Sequence, residues 1–150
     1  DGSITYVDDE DYSEVTQWRW HPVRRCGLTY AFRYFKEGGK SKAVGMHRQI
    51  LNPPKEYHVD HKDGNGLNNT RLNIRVCSHG ENMCNRQKRL TTASSKYKGV
   101  YADGHSWRAE IKAKGIKFSL GSFRSEIVAA LAYNKAATQH HGQFASLNKV

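Results

Sequence analysis

Asp60 and His61 are adjacent in Tyr57-His58-Val59-Asp60-His61, and a run of turn formers, Lys62-Asp63-Gly64-Asn65-Gly66, follows at once. A carboxylate beside an imidazole offers a ligand for a hard cation next to a candidate general base. Asn73 lies twelve residues beyond His61, and Asn82 nine beyond Asn73. That spacing can wrap a strand, a loop, a second strand and a helix around one point. Together these groups could hydrolyse a phosphodiester. That reaction needs an activated water, a cation facing the charge of the transition-state phosphate, and groups that hold both in line. Successive side chains of a strand point to opposite faces, so Asp60 and His61 can cooperate only where the strand ends and the chain turns.

The elements around these residues are legible in part. Asn73-Ile74-Arg75-Val76 reads as a short strand. Ser78-His79-Gly80-Glu81 fits a capping box, in which a serine and a glutamate three residues on satisfy the first amides of a helix. The helix is expected from about His79 to Leu90. Asn82, Asn85, Arg86 and Arg89 fall at i, i+3, i+4 and i+7, which makes one face hydrogen-bonding and basic, unlike a face that packs on a core. Asn85, Arg86 and Arg89 are candidate DNA contacts.

Upstream, residues 1–46 mix short alternating runs with turn formers. Ser3 to Val7 reads as a strand, and Asp8 to Trp20 as a short helix with Val15 and Trp18 at i,i+3. Thr29 to Phe35 and Ser41 to Met46 read as a hairpin closed through Gly38-Gly39. Trp18 and Trp20 are expected in the core. Residues 91–96, Thr-Thr-Ala-Ser-Ser-Lys, have the composition of a flexible connector. Beyond them Trp107, Ala109, Ile111 and Ala113 alternate with Arg108, Glu110, Lys112 and Lys114, and Lys117 to Gly121 continues the alternation. A helix opens at Ser125 and closes at Gly142, with Ala129, Ala132, Tyr133, Ala136 and His140 as its packing stripe. The expected organisation is α+β: a β-rich segment over 1–46, a nuclease core over 47–90, a linker over 91–96 and a sheet-and-helix module over 97–150.

Lys and Arg total 24 against 14 Asp and Glu, a formal net charge of +10. Such a balance suits a polyanionic partner. No apolar run approaches the roughly 20 residues that span a bilayer, so double-stranded DNA is the expected partner and a membrane is not. Cys26, Cys77 and Cys84 are odd in number and lack the paired short spacing of a zinc knuckle. They read as buried free thiols in a reducing, intracellular (cytoplasmic) compartment.

His58-Val59-Asp60-His61-Lys62-Asp63-Gly64-Asn65, Leu67-Asn68-Asn69, Leu72-Asn73-Ile74-Arg75-Val76 and Glu81-Asn82 with Asn85 resemble the HNH endonucleases, in particular phage and intron-encoded homing enzymes. The resemblance implies a two-strand-plus-helix metal core, with His61 as general base and Asp60 and Asn82 as ligands of one divalent metal. It also implies that Asn73 ties the loop so that His61 keeps its orientation. Many members carry His where this chain has Asn82, and Asn85 and His79 are the alternative ligands to it. The neutral amide oxygen suits Mg²⁺ or Mn²⁺ better than Zn²⁺. His47-Arg48 also looks like a segment recurring among these enzymes, read here as phosphate positioning, with a structural role as the alternative.

Tyr97-Lys98-Gly99-Val100, Trp107 to Ile111, Leu120 to Phe123, Ala129-Ala130, Ala132 to Ala137, Gly142 and Leu147-Asn148 resemble the Apetala/ethylene-response-factor DNA-binding domain. That resemblance covers residues 97–149 and implies a three-stranded sheet in the major groove, with Lys98, Tyr101, Arg108, Glu110, Lys112, Lys117 and Ser119 as candidate readers. Several arginines typical of the plant proteins are absent, with Tyr101, Asp103 and His105 in the first hairpin, so their specificity does not transfer. Together the two resemblances imply a site-recognising endonuclease that nicks one strand per active site, acting as a monomer or a homodimer. The alternative is a non-catalytic DNA-binding regulator that retains the HNH fold as scaffold.

Overall fold

A computed structural model describes residues 2–86 and 94–150. The chain divides into two compact units, one ending at Asn82 and the other beginning at Met83. The expected α+β class holds, with three small antiparallel sheets and four α-helices among the described residues.

In the first unit, the acidic opening of helix α1 (Asp9–Val15) places carboxylates where the helix dipole favours them. Strands β1 (His21–Arg25), β2 (Leu28–Glu37) and β3 (Lys40–Gly45) form an antiparallel sheet in that order. The expected hairpin is β2–β3. Strand β1 was not expected, and it joins β2 through Cys26 and Gly27, both at positive φ (52° and 88°), the conformation a two-residue hairpin turn demands. Helix α2 (Met46–Leu51) follows and stops where Asn52 adopts a left-handed conformation before Pro53-Pro54. Strands β4 (His58–His61) and β5 (Ile74–Cys77) pair antiparallel, and helix α3 (His79–Asn85) follows. The expected continuation of α3 toward Leu90 lies outside the described residues.

Val15, Ala31, Met46, Ile50 and Ile74 share one core, against which Trp20, Val59 and Leu67 pack. Residues 1–46 and the β4–β5 region are therefore built on the same apolar cluster. The expected strand over residues 3–7 is reduced to one parallel bridge, Tyr6 to Asn68. Trp18 corrects the sequence expectation: it is 44% exposed, with the Arg33 guanidinium 4.1 Å from its ring. Of the thiols, only Cys77 is buried; Cys84 is half-buried and Cys26 exposed, since a turn lifts Cys26 off the sheet.

In the second unit, strands β6 (Val100–Asp103), β7 (Ser106–Ala113) and β8 (Ile116–Phe123) form a three-stranded antiparallel sheet covered by helix α4 (Glu126–His141). The buried stripe of α4 is Ala129, Ala130, Tyr133, Ala136 and Ala137. His140 is exposed and stacks on Phe118 at 4.9 Å, so it is not part of the stripe. Asn148 ties the C-terminal segment down: its amide group exchanges hydrogen bonds with the Lys98 backbone at 2.6 and 3.1 Å, and its own backbone does so with the Asn134 side chain. Residues 94–96 are not a free connector. Ser95 is buried and donates to Glu126 at 2.7 Å, and Ser94 accepts from the Ala102 amide; residues 91–93 lie outside the described residues. No helix among the described residues is long and apolar enough to cross a membrane.

Gly99 sits at φ +73°, and a Cβ there would lie 2.2 Å from the Tyr133 ring and 2.5 Å from the Glu110 carbonyl. Gly99→Ala is expected to destabilise the second unit by about 2–4 kcal/mol, combining left-handed strain with overpacking. Gly104→Ala, at φ +58° but with open space, should cost only about 1 kcal/mol. Urea unfolding of the two variants checks the difference, and equal losses would remove the packing component.

Candidate active site

Strand β4 sends its side chains two ways. Val59 and His61 face the core and α2, and the His61 ring lies 5.2 Å from that of His47 and 5.7 Å from that of Tyr30. His58 and Asp60 take the other face. The His58 ring lies 5.2 Å from that of His79 in α3, and Asp60 meets Arg75, its register partner on β5. Both Nε and a terminal nitrogen of Arg75 donate to Asp60 Oδ2, at 2.9 and 2.6 Å. As the alternation rule requires, the carboxylate and the imidazole are divided by the strand, and β4 ends at His61 itself.

The turn after His61 is closed by side chains. The Asp63 amide donates to Asn73 Oδ1 at 3.1 Å, and Asn73 Nδ2 donates to Asp63 Oδ1 at 3.0 Å and to the Asn68 carbonyl at 2.7 Å. Asp63 also accepts from the Asn65 amide and from Asn68 Nδ2, both at 2.8 Å. Burial alone would raise the Asp63 pKa, but these donors outweigh it and hold the carboxylate below its ordinary value. Asn73 thus ties Asp63 and Asn68 together across the loop. Arg71 secures the same loop from α1: its guanidinium pairs with the buried Asp11 at 2.8 and 2.7 Å, and its amide donates to Asp8. The acidic group Asp8, Glu10 and Asp11 is accordingly a socket for Arg71.

Burial pushes the His61 pKa below the usual histidine value, against the opposing effects of its contact with Asn69 and of Asp63 and Asp60. The neutral imidazole, the form that can accept a proton, is favoured. Asn82 follows His79 by three residues, so it shares the helix face turned toward the His58 side of β4. Its carboxamide makes no hydrogen bond to a described residue.

His47 and Arg48 depart from the phosphate-positioning expectation and match its structural alternative. His47 is only 9% exposed, boxed by Tyr30, Phe32 and His61. A Cβ on Gly45 would lie 2.6 Å from its ring, so a glycine is needed for this approach. Arg48 donates to the carbonyls of Tyr57, Pro53 and Pro54, which clamps the loop between α2 and β4. Tyr30, Asp63, Asn69 and Arg75 are site residues given no role by the sequence analysis. An arginine in an otherwise apolar strand is the signal that could have pointed to Arg75.

Among the candidate DNA contacts, Asn85 is half-buried and Arg86 exposed, and Arg89 lies outside the described residues. Lys98 is turned inward. Its ammonium donates to the Cys84 and Arg86 carbonyls at 2.7 Å, and burial pushes its pKa down, which is the geometry of a chain clamp rather than a base reader. Tyr101, Asp103, Arg108, Glu110 and Lys117 line one shallow depression on the sheet. Within it Arg108 pairs with Asp103 at 2.5 Å and Lys117 with Glu110 at 2.6 Å. Lys112 and Ser119 are exposed nearby in the same sheet.

Burial, with a smaller push from His61, Arg48 and Arg25, drives the His47 pKa down to about 3, and its Nδ1 has no hydrogen-bond partner. The folded value lies below the unfolded value of about 6.5, so His47 leaves stability unchanged with pH above 6.5 and lowers it as pH falls from there toward 3, where the unfolded chain takes up a proton that the folded site refuses. Wild-type protein should lose about 2 kcal/mol more stability than His47→Phe between pH 7 and 5. Urea midpoints at the two pH values test this; parallel losses would show that His47 titrates normally.

No protein-family model matches the chain. It is 28% identical over 156 residues to "Uncharacterized HNH endonuclease L560" of Acanthamoeba polyphaga mimivirus, an alignment that covers 99% of this chain and 76% of that protein. It is 32% identical over 93 residues to protein 3.8 of Escherichia phage T7, covering 61% of this chain and 76% of the phage protein. At that identity and coverage, the chain belongs to the same family as protein 3.8 of phage T7.

Proposed function

We propose that this protein is a divalent-metal-dependent DNA endonuclease of the HNH type. In this reading it recognises a site in duplex DNA and cuts one strand per active site, as homing enzymes do. The observation that carries the reading is the turn closed by Asn73 and Asp63 directly after His61, whose pKa burial holds below the usual histidine value and which adjoins Asp60 at the end of β4. The similarity along nearly the whole chain to a viral protein named as an HNH endonuclease supports nuclease activity.

The donor set fits a hard cation. Asp60 offers a carboxylate, which has about four lone-pair sites and so is not exhausted by Arg75. Asn82 offers an amide oxygen. These two residues would hold Mg²⁺ or Mn²⁺, which when bound supplies positive charge to the scissile phosphate and the leaving oxygen. His61 accepts the proton of the attacking water, Asn73 keeps the turn shut, and the cationic side chains of the C-terminal sheet hold the duplex. A single base gives one cut per engagement, so a double-strand break takes a second copy or a second visit. The Arg75–Asp60 pair favours one other reading, a DNA-binding regulator in which the HNH fold is only a scaffold, because a strong internal partner competes with a metal for that carboxylate.

Supercoiled plasmid with and without Mg²⁺ separates these readings: open-circle product supports nicking, linear product paired cleavage, and binding without product the regulator. His61→Ala should cut the single-turnover rate by about a hundredfold to ten-thousandfold with DNA affinity retained. Asp60→Ala should in addition raise the metal concentration needed. A His61→Ala protein that cleaves at the wild-type rate would remove His61 as the base.

The sheet is tested separately. Replacing Arg108, Lys112 and Lys117 together by Ala should weaken DNA binding at least about tenfold, and should flatten its salt dependence by roughly one unit of slope for each phosphate that is no longer neutralised. Lys98→Ala should lower thermal stability and leave the slope unchanged. An unaltered slope in the triple variant would take the sheet out of the DNA interface.

A further inference from the structure

Asp60 and Arg75 face one another across the β4–β5 ladder, and both are largely withdrawn from water, with side-chain exposures of 6% and 12%. Nε and a terminal nitrogen of the guanidinium converge on one carboxylate oxygen, Oδ2, at 2.9 and 2.6 Å. A guanidinium keeps its charge at any working pH, so at this depth it needs an anion beside it. Two neighbours are poor substitutes for Asp60. The Cys77 thiol, two residues on in β5, is neutral, because burial pushes its pKa up to about 11. The Glu81 carboxylate is turned to Ser78, accepting from its amide and hydroxyl at 2.7 and 2.8 Å; these bonds lower its pKa first, and Arg75 last.

Asp60 is also the carboxylate offered to a divalent cation. In the DNA-free protein a cation approaching it meets a positive charge held at hydrogen-bond distance from Oδ2, and like charges repel strongly where water is excluded. Arg75 cannot simply withdraw, since its own charge would then be buried without a partner. A backbone phosphate changes both terms. It accepts the guanidinium fork in the bidentate geometry that a carboxylate does, and the part of Arg75 that remains exposed gives it access.

We propose that Arg75 makes the metal site conditional on DNA: in the free protein it closes Asp60, and a phosphate of the docked duplex draws the guanidinium away and releases the carboxylate to Mg²⁺ or Mn²⁺. The role of Asp60 as a metal ligand rests on the hydrolytic reading. One ion pair is exchanged for another, and no covalent bond changes. The coupling is reciprocal by linkage, so DNA raises the affinity for metal by the factor by which metal raises the affinity for DNA, about five- to 150-fold for couplings of ordinary size.

The test measures binding rather than cleavage. Mn²⁺ is titrated into full-length, DNA-free protein, and the unbound ion is followed by electron paramagnetic resonance. Arg75→Gln, which keeps a hydrogen-bonding group and removes the charge, should bind Mn²⁺ at least about tenfold tighter than wild type. Arg75→Lys, which keeps the charge, should stay near wild type, and adding Asp60→Asn to Arg75→Gln should abolish the gain. A second measurement leaves Arg75 intact and so does not depend on the folding of its variants. In His61→Ala protein, sheared duplex DNA should tighten Mn²⁺ binding by a similar factor once the uptake of the DNA alone is subtracted. A folded Arg75→Gln protein that binds Mn²⁺ as wild type does, or Mn²⁺ binding that DNA leaves unchanged, overturns the proposal. Tightening that depends on Asp60, in a protein whose wild type cleaves no DNA, would instead overturn the hydrolytic reading and leave Arg75 as the gate on Asp60.

Discussion

The exchange of hydrogen bonds between Asn73 and Asp63 is the constraint on which the first unit's geometry depends. Between β4 and β5 the chain travels from Lys62 to Asn73 with little apolar material, and Leu67 is the residue of that stretch that packs on the core. A loop of this length without a core of its own must close on polar groups. Asn73 serves as donor and acceptor to one residue, Asp63, and a second bond to the Asn68 carbonyl draws the far side in. The Lys62 amide then donates to the Asn73 carbonyl at 3.0 Å, so the β4–β5 ladder is continued by side chains just where the backbone pairing stops.

Because that turn is fixed, the opposite orientations of Asp60 and His61 are useful. One face of β4 meets α2 and the aromatic ring of Tyr30, which shelter the imidazole; the other meets Arg75 and the start of α3. The shelter lowers the His61 pKa, whereas the guanidinium places a fixed positive charge beside Asp60. Helix α2 belongs to this arrangement as scaffold: His47 fills space against His61, and Arg48 holds the loop that delivers β4.

The second unit works by a different balance. Its helix lies close to its sheet because alanines line the contact, and its exposed face carries both signs of charge. Exposed ion pairs such as Arg108–Asp103 contribute little stability. Their effect is to hold the guanidinium in one direction and to offset its charge locally.

The α+β class, the β2–β3 hairpin, the capping box at Ser78 and the sheet-and-helix pattern of the C-terminal module were legible in the sequence, because each rests on local periodicity or on side chains that satisfy nearby amides. Of the candidate site, the sequence carried the order and spacing of Asp60, His61, Asn73 and Asn82 but not their surroundings. What the tertiary structure alone decided were contacts between residues far apart in the chain. Thr5 reaches Asn69 across 64 residues, Arg71 finds Asp11 across 60, and His47 comes to lie against His61. No local pattern encodes such pairings, since a threonine in a polar N-terminal run looks the same whether it faces water or a buried amide. The core formed by Val15, Ala31, Met46, Ile50 and Ile74 brings those side chains together, and it thereby made His47 an internal residue where a phosphate contact was expected. Lys98 was turned inward by the carbonyls of Cys84 and Arg86 in its own unit, which the sequence pattern gave no reason to place beside it.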